Sequence, residues 1–328
     1  MAVALELELK TAVRAVQLAS AISLAVQREQ AGAHSPMQKG EKDPVTIADY
    51  AAQAVILHTL SASFPDDAVL AEESTSDFDR LASEDQRGEV IGRLEAAFGH
   101  PVTLEDVRTW LDYGRGRTRQ RMWTIDPIDG TKGFIRNDQF ALAIALLIDH
   151  QPVLGVLACP RLPYHLTDTE GGVIATALKG RGAELQALDG SARRKLKTAQ
   201  GEMAETIRLA GSMEKRHTNQ DYTENLLTRA GLTAETIRVD SQVKYVMLAD
   251  NRADVYIRQS STSGYIEKIW DHVAGALIVE EAGGIVTDLT GARLDYTTGA
   301  ELHRNKGVLA AAAGVHPRLL AAAMELQK

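Results

Sequence analysis

The stretch WTIDPIDGTKGF, residues Trp123 to Phe134, sets two carboxylates around a proline and follows them with Gly-Thr-Lys-Gly. Asp126, Asp129 and the carbonyl of Ile128 are hard oxygen donors. Such donors suit a cation like magnesium, which takes a few carboxylates and completes its shell with water and substrate phosphate. Pro127 fixes φ and cannot donate into a strand ladder, so the chain is expected to turn there. Gly130 permits unusual backbone angles, and Thr131 can set a hydroxyl beside the same ions. Taken alone, the stretch reads equally well as an acidic surface turn. Three more acidic positions, Asp49, Glu72 and Asp271, fall at the ends of expected elements, where side chains can converge on a cleft. Each has a plainer reading too: a helix cap for Asp49 and Asp271, and a solvated pair for Glu72 with Glu73.

The elements that must position these groups are legible in outline. Residues 3–30 carry apolar positions at helical spacing and predict a long amphipathic helix. A polar break with Gly and Pro follows at 31–44. VTIADYAAQAVILHTLSASFP then reads as a short strand and a second helix, with Asp49 near the helix start. Val69 to Ala71 reads as a strand ending in Glu72-Glu73-Ser74. Residues 75–122 are charged and helical in pattern; their place between Glu72 and Asp126 suggests an inserted flap that helps cover a substrate. FALAIALLI, PVLGVLAC, HLTDTE, GGVIATAL and GAELQAL are short segments punctuated by Gly, Pro and Asp, the pattern of an antiparallel meander. From about residue 204 strands alternate with helices: TIRLAGS, a helix over 219–230, TIRVDS, a helix over 242–250, ADVYIR, and a helix from Asp271 to Ala282 stopped by Gly283-Gly284. The chain therefore reads as an α+β half, 1–203, joined to an α/β half, 204–328, with the ligand cleft expected between them.

Composition narrows the function classes. The 328 residues are 45% hydrophobic and 24% charged, an ordinary globular profile with enough apolar material for a sizeable core. The net charge of −8, from 36 basic and 44 acidic residues, argues against a polymeric nucleic-acid partner. It leaves room for a small phosphorylated ligand, because bound cations reverse the local sign of a site. The single cysteine, Cys159, excludes an intramolecular disulfide and a four-cysteine zinc site and favours a cytoplasmic setting. It is expected in or beside a strand as a small hydrophobe. The N-terminus MAVALELELK has no basic region of a secretory signal. The longest apolar run, Phe140 to Ile148, is strand-sized, so no membrane span is expected.

The stretches DPVTIADYAAQ, LAEES, WTIDPIDGTKGF and WDHVAGALIVEEAGG, in that order, resemble the inositol monophosphatase superfamily, over nearly the whole chain. That resemblance implies a layered αβαβα sandwich of the sugar-phosphatase type and a magnesium-dependent, lithium-sensitive phosphatase. DPIDGTKGFIR, QFALAIALL, GSMEKRH and DSQVKYVMLADNRADVYIR are further similar to the 3′(2′),5′-bisphosphate nucleotidases of fungi and plants. Those enzymes hydrolyse adenosine 3′,5′-bisphosphate to AMP and phosphate and often act on 3′-phosphoadenosine 5′-phosphosulfate (PAPS), a reaction of sulfur assimilation. One departure is Val273, where the second signature usually has Ala or Cys; this position is expected to face packing.

Carried over residue by residue, the resemblance implies that Glu72, Asp126, the Ile128 carbonyl, Asp129 and Asp271 bind two or three Mg²⁺ ions. Asp49 with Thr131 would orient and deprotonate the attacking water. Asp129, Thr131, His217, Ser241, Lys244, Arg258 and Asp271 would contact the nucleotide. Ser241 and Lys244, three apart, share a helical face if a helix starts at Asp240. The helix beginning at Asp271 would add the partial positive charge of its N-terminus. An inositol phosphate substrate keeps the chemistry and changes the pocket. A catalytically silent nucleotide-binding protein is the remaining alternative. The sequence leaves the oligomeric state open, with a monomer preferred.

Overall fold

A computed structural model of the chain describes residues 5–30, 37–40, 43–117, 120–168, 171–201, 205–213, 219–259 and 264–327. In chain order the elements are α1 (Glu6–Gln30), β1 (Met37–Gly40), β2 (Asp43–Val45), α2 (Ile47–Ser63), β3 (Ala68–Ala71), α3 (Thr75–Leu81), α4 (Glu84–Phe98), α5 (Leu104–Leu111), β4 (Arg121–Asp129), α6 (Thr131–Ile135), β5 (Ala141–Ile148), β6 (Gln151–Cys159), β7 (Val173–Leu178), β8 (Gly182–Ala187), β9 (Arg193–Lys195), β10 (Thr206–Gly211), α7 (Gln220–Arg229), β11 (Thr233–Arg238), α8 (Val243–Ala249), β12 (Val255–Arg258), a 3-10 turn (Ile269–Asp271), α9 (Val273–Glu281), β13 (Gly284–Thr287), β14 (Val308–Ala312) and α10 (His316–Leu326).

Among the described residues two sheets dominate. The larger runs β3-β4-β5-β6-β7-β8-β9, antiparallel except for the parallel pair β3/β4. The smaller runs β11-β10-β12-β14-β13; β10 is parallel to β11 and β12, and β14 is antiparallel to both its neighbours. Helices α1 and α2 cover one face of the large sheet, α8 and α9 fill the space between the sheets, and α7 and α10 cover the far face of the small sheet. The result is the expected αβαβα layering.

Strand β5 shows how side-chain alternation builds it. Leu142, Ile144 and Leu146 face the α1/α2 core, whereas Ala141, Ala143 and Ala145 face the core containing α9. The small face lets α9 approach closely. A Cβ at Gly155 of β6 would come within 2.8 Å of the Ala274 carbonyl oxygen. Helix α9 is apolar all round from Val273 to Val279, where the sheets bury it from both sides. Val273 is fully buried, as a packing position should be.

Several expectations need correction. Residues 75–122 make a crossover: β3 and β4 are parallel neighbours, so the chain must cross over between them. Helices α3 to α5 make that crossover, with α4 and α5 packed on α2 and Val90, Leu94, Val107 and Leu111 in the core. HLTDTE forms no strand over its described residues; His165–Asp168 is a turn closed by the His165 N–H on the Asp168 carboxylate, and Leu166 is exposed. Helix α1 meets the length and apolarity of a membrane span, which the strand-sized Phe140–Ile148 run did not suggest. Its Ala12, Ala15, Val16 and Ala19 are instead fully buried in the core against α2. Cys159 ends β6 as a buried free cysteine, with burial pushing its thiol up.

His316 offers a pH test of the C-terminal layer. It is 3% exposed, and Thr287 Oγ1, which donates to the Asp288 carbonyl, accepts from His316 Nε2 at 3.0 Å. Burial pushes its pKa down to about 4. The unfolded chain protonates this group first, so its stabilisation is complete above about pH 6.5 and is lost as pH falls toward 4. His316→Gln keeps the donor and removes the titration. Its thermal midpoint should fall less than wild type's between pH 6.5 and 4, and parallel curves would refute this.

Candidate active site

The parallel pairing of β3 with β4 is in register at Ala71 and Ile125, and the Glu72 N–H donates to the Ile125 carbonyl at 3.1 Å. Glu72 therefore leaves its strand beside Asp126, one strand spacing away, about 4.8 Å. Strand β4 does not turn at Pro127. It runs to Asp129, and its ladder to β5 is broken by a register shift between Asp126 and Asp129. The proline removes a ladder hydrogen bond and a bulge accommodates it, which re-aims the two carboxylates. The turn comes at Gly130, with φ +89°. Thr131 then opens α6, and its hydroxyl donates to the Ile128 carbonyl at 3.2 Å.

Asp49 lies in the first turn of α2 and is 1% exposed. Its Oδ2 accepts from the Thr46 N–H at 2.8 Å and the Thr46 hydroxyl at 2.7 Å, closing a capping box. The helix cap itself is Thr46, and Asp49 is its capping-box partner three residues on. Strand β2, just before α2, lies against α6, which brings this turn toward Thr131. Gln53, four residues on and on the same helix face, clamps the backbone of Glu73: its Oε1 accepts the Glu73 N–H and its Nε2 donates to the Glu73 carbonyl, both at 2.9 Å. This amide locks the Asp49 helix to the Glu72-Glu73 segment. Sequence reasoning passed over Gln53, whose one signal was its spacing from Asp49.

The C-terminal half supplies the facing wall. A Cβ on Gly130 would lie 2.8 Å from Ser241 Cβ, and one on Gly133 would lie 2.9 Å from Asp240 Oδ2. The Gln242 N–H, at the cap of α8, donates to Asp129. Ser241 and Lys244 do not share a helical face. Helix α8 begins at Val243, and Ser241 sits before it with φ +66°. That left-handed residue curls the chain so that Lys244 Nζ reaches back to the carbonyls of Val239 (3.1 Å) and Ser241 (2.8 Å). Lys244 is 3% exposed, and burial pushes it down to about 8. Two of its three N–H donors are used on the loop.

Arg258 ends β12, its Nε donating to Glu267 Oε1 and Oε2 at 3.1 and 3.0 Å, and its guanidinium lies 5.9 Å from the Tyr265 ring centre. Asp271 closes the 3-10 turn and does not start α9, which is capped at His272 and begins at Val273. The helix-end charge expected at Asp271 is therefore offset along the chain. His217 lies outside the described residues.

Electrostatics shows what the cluster needs. Burial, then repulsion from Glu72, Asp129 and Asp271, pushes the Asp126 carboxyl well above the usual range. Burial and repulsion from Asp129 and Glu72 do the same to Asp271, with Arg258 opposing. Asp126 Oδ1 is buried and has no hydrogen-bond partner. A buried acceptor facing like charges costs free energy unless positive charge meets it. An all-oxygen carboxylate set fits a hard divalent cation. Donor atoms of Glu267, Asp271 and His272 also lie within 4.8 Å of one another, but Glu267 already accepts from Arg258, and both His272 nitrogens have protein partners. Burial opposes ionisation of Glu267, yet Arg258 and His272 hold its carboxyl down to about 2. Glu267 and His272 were not among the expected site residues. Their role comes from contacts across the fold.

A profile of the inositol monophosphatase family matches residues 4–328. The chain belongs to that family. Its members are metal-dependent phosphatases. Among similar proteins, a probable 3′(2′),5′-bisphosphate nucleotidase 4 from Arabidopsis thaliana is 35% identical over 333 residues, covering 98% of this chain and 95% of the relative. A 3′(2′),5′-bisphosphate nucleotidase from Schizosaccharomyces pombe is 34% identical, covering 96% and 94%. An inositol monophosphatase from Zymomonas mobilis shares the fold with a TM-score of 0.64 at 21% identity, covering 98% of this chain and 99% of that one. The family accounts for the layered architecture.

Proposed function

We propose that this protein removes the 3′(2′)-phosphate of adenosine 3′(2′),5′-bisphosphate, yielding AMP and phosphate, with PAPS as a further substrate of the same site. The observation that carries the reading is the full-length similarity to relatives named 3′(2′),5′-bisphosphate nucleotidase. The cations Arg258 and Lys244 beside the carboxylate cluster support it, since both respond electrostatically to its acids. A second phosphate needs such a locus.

Glu72, Asp126, the Ile128 carbonyl, Asp129 and Asp271 would hold two or three Mg²⁺ ions. When bound, these ions offset phosphoryl charge and make a water more acidic. The chain's own residues do the rest. Asp49 and Thr131 orient the attacking water, and Asp49 receives its proton as the water oxygen bonds phosphorus. The ester P–O bond breaks, and the leaving nucleoside oxygen takes up a proton from solvent water, while Asp49 later returns its proton to solvent. Ser241, Lys244 and Arg258, with His217, hold the remaining phosphate and adenosine. Burial of Asp49 and Asp126 keeps bulk water from competing for these charges.

We place the boundary between the halves at 203/204, supported by the large sheet ending at Lys195 and the small one starting at Thr206. A monomer suffices, because one chain supplies every proposed group. A single, buried cysteine without a disulfide partner in the sequence fits a cytoplasmic setting. Phosphate release with Mg²⁺ is the decisive measurement. Adenosine 3′,5′-bisphosphate should turn over at least about tenfold faster than inositol 1-phosphate or inositol 1,4-bisphosphate, as a site contacting the substrate's distal groups requires. Equal rates would favour an inositol phosphate substrate, and no turnover of any would favour a silent binding protein.

A further inference from the structure

We infer that Glu267, His272 and Tyr245 form a buried positioning chain that sets Arg258 for the second phosphate of the substrate. The inference rests on the proposed role of Arg258. Glu267 engages the guanidinium through Nε alone, with both carboxylate oxygens on that one donor. The terminal NH edge is therefore not consumed by Glu267. On its other side Glu267 Oε2 meets His272 Nε2 at 3.3 Å, and His272 Nδ1 meets the Tyr245 hydroxyl at 2.8 Å. The ionised carboxylate can only accept, so Nε2 carries a hydrogen and donates to it, while Nδ1 is engaged by the Tyr245 hydroxyl. Every link is 5% exposed or less: Glu267 5%, His272 1%, Tyr245 0%.

The chain has a reason to exist in this site. Asp271 is the competing acid for Arg258, which lowers its pKa. An unrestrained guanidinium would fold onto Asp271 and leave both groups unavailable to ligands. Glu267 holds Nε and the Tyr265 ring lies 5.9 Å from the guanidinium, so the group is restrained from both sides. His272 then holds the Glu267 carboxylate in one orientation, and Tyr245 fixes the imidazole. Tyr245 lies on α8 and His272 caps α9, so the packing of these two helices sets the direction of Arg258.

The test compares kcat/KM for adenosine 3′,5′-bisphosphate with kcat/KM for adenosine 3′-monophosphate, which lacks the second phosphate. Arg258→Ala should lower that ratio about 10–100-fold, the range for a lost charge-assisted hydrogen bond. Glu267→Ala should lower it comparably, chiefly through KM. Glu267→Gln keeps an acceptor for Nε and should recover part of the loss. In the double variant Arg258→Ala/Glu267→Ala the ratio should be no lower than in Arg258→Ala alone. Tyr245→Phe, which keeps the ring and loses the hydroxyl, should lower the ratio about two- to fivefold, and it carries the test if Glu267→Ala fails to fold. If Arg258→Ala lowers the ratio and neither Glu267→Ala nor Tyr245→Phe does, the positioning chain is wrong and the Arg258 reading stands. If Arg258→Ala leaves the ratio at wild type, both are wrong. A loss in Glu267→Ala that is equal for the two substrates is a structural effect and also overturns the inference.

Discussion

Asp126→Asn is expected to cut phosphate release by about 10²–10³-fold or more, the loss typical of removing one group that meets transition-state charge, while making the metal-free protein more stable. The two effects have one cause. Asp126 is 2% exposed, its Oδ1 has no hydrogen-bond partner, and Glu72, Asp129 and Asp271 all repel its charge. Asparagine has the same shape without the charge. In the absence of cation the variant should gain about 1–3 kcal/mol, as when a poorly compensated buried charge is removed. At about 2–4 °C per kcal/mol for a chain of this order, the thermal midpoint rises by several degrees. Mg²⁺ should raise the midpoint of the wild type, which binds it in the folded state, and raise the variant much less. Melts with chelator and with Mg²⁺, beside the activity assay, give both readings. A variant with wild-type turnover and an undiminished Mg²⁺ shift would remove Asp126 from the proposed ligand set.

Gly130→Ala is expected to reduce activity by about a hundredfold, the penalty for moving reacting groups by about an ångström. Two things stand against the added methyl. The residue has φ +89°, where an L side chain costs about 1–2 kcal/mol. Its Cβ would also lie 2.8 Å from Ser241 Cβ. Ser241 is itself held at φ +66° and has Lys244 bonded to its carbonyl, so it has little freedom to retreat. The turn must move, and with it Asp129 on one side and Thr131 on the other. Overpacking adds about 1–3 kcal/mol of destabilisation. Gly99→Ala is the matched control: its φ is +75°, and nothing lies within 4 Å of its Cβ. It should show the backbone cost with wild-type turnover. If the two variants behave alike, the contact with Ser241 has no functional weight.

The proposed site residues differ in how legible they were along the chain. Asp126, Ile128, Asp129 and Thr131 were legible because their chemistry is local: four positions, a proline and a glycine. Glu72 and Asp49 were legible because they stand at element ends, and periodicity locates element ends. The resemblance then joined them to Asp271. Pro127 misled about geometry, since a bulge absorbs the missing donor without ending the strand. Residues 75–122 read only as a charged helical insert, because the crossover they make is visible only in the parallel pairing of β3 with β4.

Residue types, spacing and period are carried by neighbours along the chain, so the carboxylates and most of the helices and strands could be read before any contact was known. Relations between distant segments are different. That Gln242 donates to Asp129, that Gln53 clamps Glu73, and that Glu267 and His272 stand behind Arg258 depend on two sheets closing over α8 and α9. No local pattern marks a Gln as a clamp or a Glu as an arginine's brace, because burial and a partner many residues away define those roles. The chemistry is written in the composition of a few short stretches. Its geometry follows from how closely Ala- and Gly-lined faces let the two halves approach.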